Sequence, residues 1–312
     1  MKKYFFFAAT ALALAACSNN EDENLGNGPV EARITAGVSA PETRANGDKW
    51  EKDAIGVMVT DAPTSDMDIF YKNVKYTTEN ESTTATFTAP EGQGIFFQDA
   101  SETVTFAAYA PYQESAANVL PGTEGVISGS TADQSDRNKQ KNFDYIYASG
   151  ATASRTNPTV NFTFAHKMTR LIIIVKTSAQ DGFTANDVAS GTYSLSGLNH
   201  SGKFNVTTGV AEATGTTATD DWSLTNNSLK TEGETGQVTF TSILYPQTLA
   251  NALTFKAEIG GQTYTNNAIN PGLTAGQSYT VTITAKKTGL VISGCTVSGW
   301  GDENNSDGDA MM

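Results

Sequence analysis

The run Leu14-Ala15-Ala16-Cys17 places a thiol directly behind two small residues, at the end of a short apolar stretch. Lys2 and Lys3 give that stretch a positive start and Tyr4 to Ala16 give it an apolar core, the layout of a secretory leader. The chemistry implied is cleavage before Cys17 by lipoprotein signal peptidase, followed by acylation of that cysteine. Each buried acyl methylene contributes about 0.8 kcal/mol, so two or three chains hold a protein firmly at a membrane. The apolar core is too short for a bilayer span, which takes about 20 residues. The competing reading is an ordinary leader cut near Ala15, with an incidental cysteine behind it. Residues 1–16 are thus expected to be a lipoprotein signal peptide, with Cys17 as the lipidation site.

The remaining reactive side chains do not assemble into a catalyst. The chain has 2 histidines, His166 and His200, and they share no HxxxH or HExxH spacing, so no zinc site can be read from them. His166 sits beside Lys167 in a strand pattern and reads as a half-buried, hydrogen-bonded residue rather than a catalyst. There is no GxSxG elbow, no phosphate-binding loop and no Gly-rich dinucleotide turn. Asp302, Glu303, Asp307 and Asp309 could meet calcium, but they lack the alternating register and closing Glu of a calcium loop. A solvated tail is the simpler account. Trp50, Trp222 and Trp300 could form a sugar platform, although scattered Trp in a β-rich chain reads first as core. No catalytic residue, metal ligand or cofactor is expected.

Composition says what must hold such a chain together. Hydrophobic residues make up 38% and charged residues 17%, and Thr, Asn, Ser and Gly are abundant, the palette of short strands and polar turns. The net charge of −13 argues against nucleic acid, which needs clustered Lys and Arg. With 2 cysteines, one of them consumed by acylation, no disulfide framework can form. Cys295, in the apolar stretch Leu290 to Val297, reads as a buried strand residue. The length exceeds what one compact core usually holds, so two domains are expected.

Along the chain, residues 17–29 are polar and acidic and read as a flexible tether. Acidic residues just after a lipidated cysteine also resemble an export signal to the outer face of the outer membrane. A first strand is predicted over Val30 to Ser39, then a turn-rich piece, Ala40 to Asp48, then Trp50 and a buried strand from Ala54 to Thr60. Further strands are predicted at Tyr71–Thr77, Ser82–Thr88, Thr103–Tyr109, Phe143–Ser149 and Val160–Phe164. Pro121 to Lys141 reads as a long loop, and Gly150 to Pro158 as a linker. Leu171 to Val175 is continuous and β-branched, as in a strand covered on both faces. Later strands are expected at Thr192–Leu198, Gly202–Thr207, Gln237–Leu244, Leu253–Ile259, Gln262–Thr265, Ser278–Ala285 and Leu290–Trp300. No stretch shows sustained helical periodicity. The pattern calls for all-β sandwiches, one over residues 30–157 and one over 158–300, followed by an acidic flexible tail, 301–312.

Several stretches, in this order, resemble the fimbrillin-like lipoprotein pilins of type V pili. They are Pro41-Glu42-Thr43-Arg44-Ala45 with Trp50 and Asp53 to Val57; Phe162 to Met168 leading into Leu171 to Val175; Tyr245-Pro246-Gln247; and Leu273 to Val281, ending at Trp300. Each is short, but together with the motif at Cys17 they cover nearly the whole mature chain.

The resemblance implies two tandem transthyretin-like β-sandwiches and a surface-exposed lipoprotein of the outer membrane that polymerises into a fimbrium and serves adhesion. It also implies that an Arg-specific surface protease removes the first strand, opening a groove that a strand from another pilin subunit fills. Arg44 matches the cleavage position and lies in a Pro/Gly-flanked turn; a cut at Arg33, the other basic candidate, would leave most of the strand behind. The C-terminal tail is too polar for a good donor strand, so Leu290 to Val297 would have to serve. Host or glycan receptors are the partners that adhesion implies. The alternatives are a cell-surface glycan-binding lipoprotein using exposed aromatics and, with less support, a secreted hydrolase.

Overall fold

The computed structural model describes residues 28–38, 49–62, 71–97, 103–217 and 220–300. Cys17, Arg44 and the acidic tail lie outside the described residues. No helix among those residues is long and apolar enough to cross a membrane.

The first core is enclosed by a 7-stranded sheet in which sequence order is scrambled. From one end it runs β4 (Val74–Thr77), β3 (Ala54–Asp61), β7 (Thr103–Ala110), β9 (Ile146–Ser154), β10 (Thr159–His166), β2 (Arg33–Val38) and β5 (Thr84–Phe87). Thr77 and Thr88 exchange backbone hydrogen bonds of 2.9 Å in both directions, so the two ends of the sheet meet. The sheet therefore wraps around Trp50, Ile55, Val57, Phe87, Phe106, Val160, Phe162 and Phe164. A short ribbon of β1 (Val30–Glu31) and β6 (Phe96–Phe97) covers one end.

The second core lies between two sheets. One is β16 (Leu229–Glu232), β17 (Gln237–Leu244), β11 (Thr169–Lys176), β20 (Gln277–Lys286) and β21 (Gly289–Gly299). The other is β15 (Trp222–Ser223), β12 (Thr192–Ser196), β18 (Leu253–Ile259) and β19 (Gln262–Ile269). Leu171, Ile173, Val281 and Phe240 meet Tyr193, Leu195, Phe255 and Ile259 across the gap. Interdigitated inner faces of this kind define a sandwich.

A third, smaller core joins the two. β8 (Val126–Ser130) comes from the first half of the chain and pairs with β13 (Ser201–Asn205) of the second, which also pairs with β14 (Val210–Ala213). Under this ribbon Tyr145 stacks on Phe204 at 4.5 Å, beside Tyr109, Met168, Ile243 and Tyr245. Gly202 is needed there, because an added Cβ would lie 2.2 Å from the Tyr245 ring. Helix is confined to α1 (Arg137–Lys141), α2 (Ala185–Ser190), α3 (Leu224–Asn227) and a 3-10 turn at Ala179–Asp181 among the described residues.

The all-β expectation holds, and its departures have physical reasons. The predicted loop Pro121 to Lys141 contains β8 and α1. β8 buries no residue fully and becomes a strand through its partner β13. The predicted linker Gly150 to Pro158 begins inside β9, whose extra residue, Gly150, forms a bulge at φ +77 opposite Phe106 and Ala107. Within the run Leu171–Val175, β11 buries Leu171, Ile173 and Val175 on one side, while Ile172 and Ile174 are half-buried on the other. Its continuous apolar run follows from a position between β17 and β20, not from cover on both faces. β10, beyond Asn157, sends Val160, Phe162 and Phe164 into the first core. The first core therefore extends as far as β10.

Phe204→Ala is expected to lower unfolding stability by about 3–5 kcal/mol, because it empties the middle of the joining core. Urea denaturation followed by near-ultraviolet circular dichroism checks this.

Candidate functional site

Strand β2 is where the fold and the resemblance converge. Ala32, Ile34, Ala36 and Val38 alternate with Arg33, Thr35 and Gly37, so one side of the strand is apolar. That side enters the first core, with Ala32, Ile34 and Ala36 exposed by only 4%, 0% and 1%. Both edges of the strand are used. It pairs parallel with β10, from Arg33 opposite Thr159 to Val38 opposite Phe164. It pairs antiparallel with β5, from Ile34 opposite Phe87 to Gly37 opposite Thr84.

Contacts beyond the ladders tie the segment down. Arg33 N–H donates to Pro158 O and Ala32 N–H to Ile95 O, each at 2.8 Å. The Arg155 guanidinium donates to Gly28 O at 2.7 Å, and the Thr35 hydroxyl bonds the Asn161 side chain. The Trp50 indole N–H donates to Ala36 O at 3.0 Å. Trp50 meets Phe87 of β5 edge-on at 4.9 Å and Phe164 of β10 at 5.4 Å. β2 thus occupies a slot whose walls are β5 and β10 and whose floor includes Trp50. Withdrawing it would leave two rows of unpaired backbone groups around an apolar trough, an open template for another strand.

The histidines take structural positions. His166 Nδ1 lies 2.6 Å from Asp144 Oδ1, and both side chains are buried. The His166 ring stacks on Trp300 at 4.1 Å, and the Arg170 guanidinium lies 5.5 Å from the same indole. These groups tie the end of β21 to the end of β10. His200 packs against Trp222 with ring centroids 4.4 Å apart, and its Nδ1 is 3.2 Å from the Thr131 hydroxyl. Burial pulls the His200 pKa down from 6.5 to about 4, partly offset by a hydrogen bond with the Thr131 backbone. Among the described residues no three His, Cys, Asp or Glu side chains gather as a metal site.

Trp50, Trp222 and Trp300 are all buried, so none offers a flat exposed platform for a sugar. Cys295 lies half-buried in β21 against the second core, where burial pushes its thiol pKa up. Sequence reasoning placed Trp50 inside but missed its bond to Ala36. It also missed the pairing of Asp144 with His166, which no short-range spacing signals.

A family model described as fimbrillin-like matches residues 43–300. The chain belongs to the fimbrillin-like family. A Bacteroides uniformis relative named "Putative fimbrium subunit Fim1C" is 31% identical over 306 residues, 94% of each chain. Among solved structures, a Bacteroides ovatus protein titled a putative cell adhesion protein superposes with a TM-score of 0.71. It is 27% identical, over 88% of this chain and 98% of its own. A Bacteroides uniformis protein with the same kind of title gives a TM-score of 0.67 at 27% identity, over 88% and 99%. A Bacteroides vulgatus fimbrial protein, 18% identical with a TM-score of 0.53 over 86% of this chain and 99% of its own, shares the fold. The family and these relatives are fimbrial and adhesion proteins, not enzymes.

Two outcomes follow from this geometry. Ile34→Ala is expected to cost about 2–5 kcal/mol, because it removes a fully buried side chain from the middle of the slot; thermal unfolding of the full chain reads it. The second concerns His200, which takes up a proton near pH 6.5 when unfolded and near about 4 when folded. Between those values the unfolded state binds more protons, so stability falls as pH falls through the window and is unaffected above it. At about pH 4.5 the wild type should lose about 2 kcal/mol more, relative to pH 7, than His200→Gln, with partial exposure discounted. Urea midpoints of the two proteins at both pH values test this.

Proposed function

We propose that this fimbrillin-like chain is the precursor of a fimbrium subunit that polymerises by strand exchange. Two tandem transthyretin-like sandwiches form its body, and acylation of Cys17 tethers it to the outer membrane during export. An Arg-specific surface protease cuts after Arg44, β2 leaves together with β1, and a strand from another pilin subunit enters between β5 and β10. β21, which carries Leu290 to Val297, is the segment proposed to be donated. The mature subunit is part of a cell-surface fimbrium whose business is adhesion.

One observation carries this reading: β2 has both edges paired and its apolar row in the first core, yet it joins the body only through the segment that contains Arg44. Such a strand can be cut free without severing any other element, and its loss creates the template described above. A replacement strand buries on the order of 1,000 Å² or more, enough for a stable contact. The similarity to Fim1C, named as a fimbrium subunit, points the same way. The glycan-binding alternative loses the aromatic platform it needed, since the three tryptophans are internal.

N-terminal sequencing of protein recovered from the cell surface is expected to begin at Ala45. Arg44→Ala should abolish both that new terminus and the SDS-resistant ladders that trimming of the wild type produces. Ladders of unchanged length in Arg44→Ala, or a surface protein still carrying residues 30–38, would overturn the mechanism.

A further inference from the structure

We infer that Trp50 sets the register, and with its surroundings the size pattern, of the strand that replaces β2; the inference rests on the strand-exchange reading above. Trp50 lies on the body side of Arg44, so it stays behind when the first strand is cut away. Its indole ring touches Phe87, on the β5 wall, and Phe164, on the β10 wall. It therefore spans the slot and keeps the two walls apart at the width of one strand. Its backbone N–H donates to Ser82 O at 2.8 Å, just ahead of β5. Without β2, β5 has no ladder neighbour on that side, and this bond together with the Thr77–Thr88 pair keeps the wall in place.

The indole N–H is aimed into the slot at Ala36 O, 3.0 Å away and buried. A replacement strand that offers no carbonyl there leaves a buried donor unpaired, which weakens binding roughly tenfold or more. Ladder bonds alone do not select a register, because they repeat along the strand. A slip of one residue turns the apolar row outward and carries the carbonyl away from Trp50. A slip of two restores a carbonyl but brings the larger Ile34 equivalent to the place of Ala36. Ala36 is 1% exposed, opposite Ala85 of β5 and Phe162 of β10, and has no room for it. The slot therefore takes a strand from a second copy of this chain only when that strand reads small, branched aliphatic, small at alternate positions, with a peptide carbonyl after the second small residue.

The test uses the full-length precursor trimmed by an Arg-specific protease in the presence of a chain-terminating peptide. The peptide has the sequence of residues 30–39 with the exposed Arg33→Gln, so that the protease spares it. It should shorten the SDS-resistant ladders, and the same peptide with Ala36→Leu should need roughly 30-fold more to do so. Replacing the Ala36–Gly37 amide by an ester weakens the carbonyl as an acceptor. That change should cost roughly tenfold against the wild-type precursor and much less against Trp50→Phe, which keeps an aromatic ring, though a smaller one, but lacks the N–H. Equal inhibition by the parent and Ala36→Leu peptides on wild type overturns the size rule. An ester penalty of the same size in Trp50 and Trp50→Phe precursors overturns the register role. In both cases the ladders still form and strand exchange stands. If the wild-type precursor yields no ladder after trimming, strand exchange fails and this inference with it.

Discussion

The placement of β2 between a parallel and an antiparallel neighbour is the constraint on which the first half of the protein depends. A buried strand with unpaired backbone on either side is costly, since each orphaned group carries its full desolvation penalty. β5 has no other ladder neighbour in the sheet, and β10 changes partners along its length, from β2 at Thr159–Phe164 to β9 at Ala165–His166. Remove the first strand and the sheet is interrupted between β10 and β5. Trp50, Phe87 and Phe164 then line the gap rather than a closed interior.

The second half is built on a different principle. β11 and β20 pair in parallel at the centre of their sheet, with an antiparallel neighbour outside each. β21 is the end strand of that sheet; it is mostly half-exposed, and Val291 is 47% exposed. The more strongly buried strands are those between other strands, and the segment proposed for donation is an end strand paired along one edge only.

Where side-chain alternation and burial coincide, elements were legible in the sequence. β17 and β18 fall on their predicted spans because every second residue of each points inward. β10 is equally plain, with Val160, Phe162 and Phe164 on one face. β8 was not legible, because a partner far away in the chain makes it a strand, and β14 and β16 were not because they are short and bury little beside their hairpin partners β13 and β17. The same limit applies to the candidate site. The apolar row of β2 could be read directly, but its parallel pairing with a strand some 125 residues later could not. Nor could the contact of Trp50 with Ala36, which ties β2 to the chain just ahead of β3 through an indole hydrogen.

The ribbon of β8, β13 and β14 has a mechanical meaning. Two bodies joined by a single flexible connector swing apart when pulled, and the connector bears the tension alone. Here β8, from one body, is laced to β13 of the other from Val126–Asn205 to Ser130–Ser201, with the stacked rings of Tyr145 and Phe204 beneath. Tension between the two bodies must therefore shear several hydrogen bonds at once before any hinge can open. Separating the two cores means breaking that ladder and unstacking those rings, not merely straightening a connector.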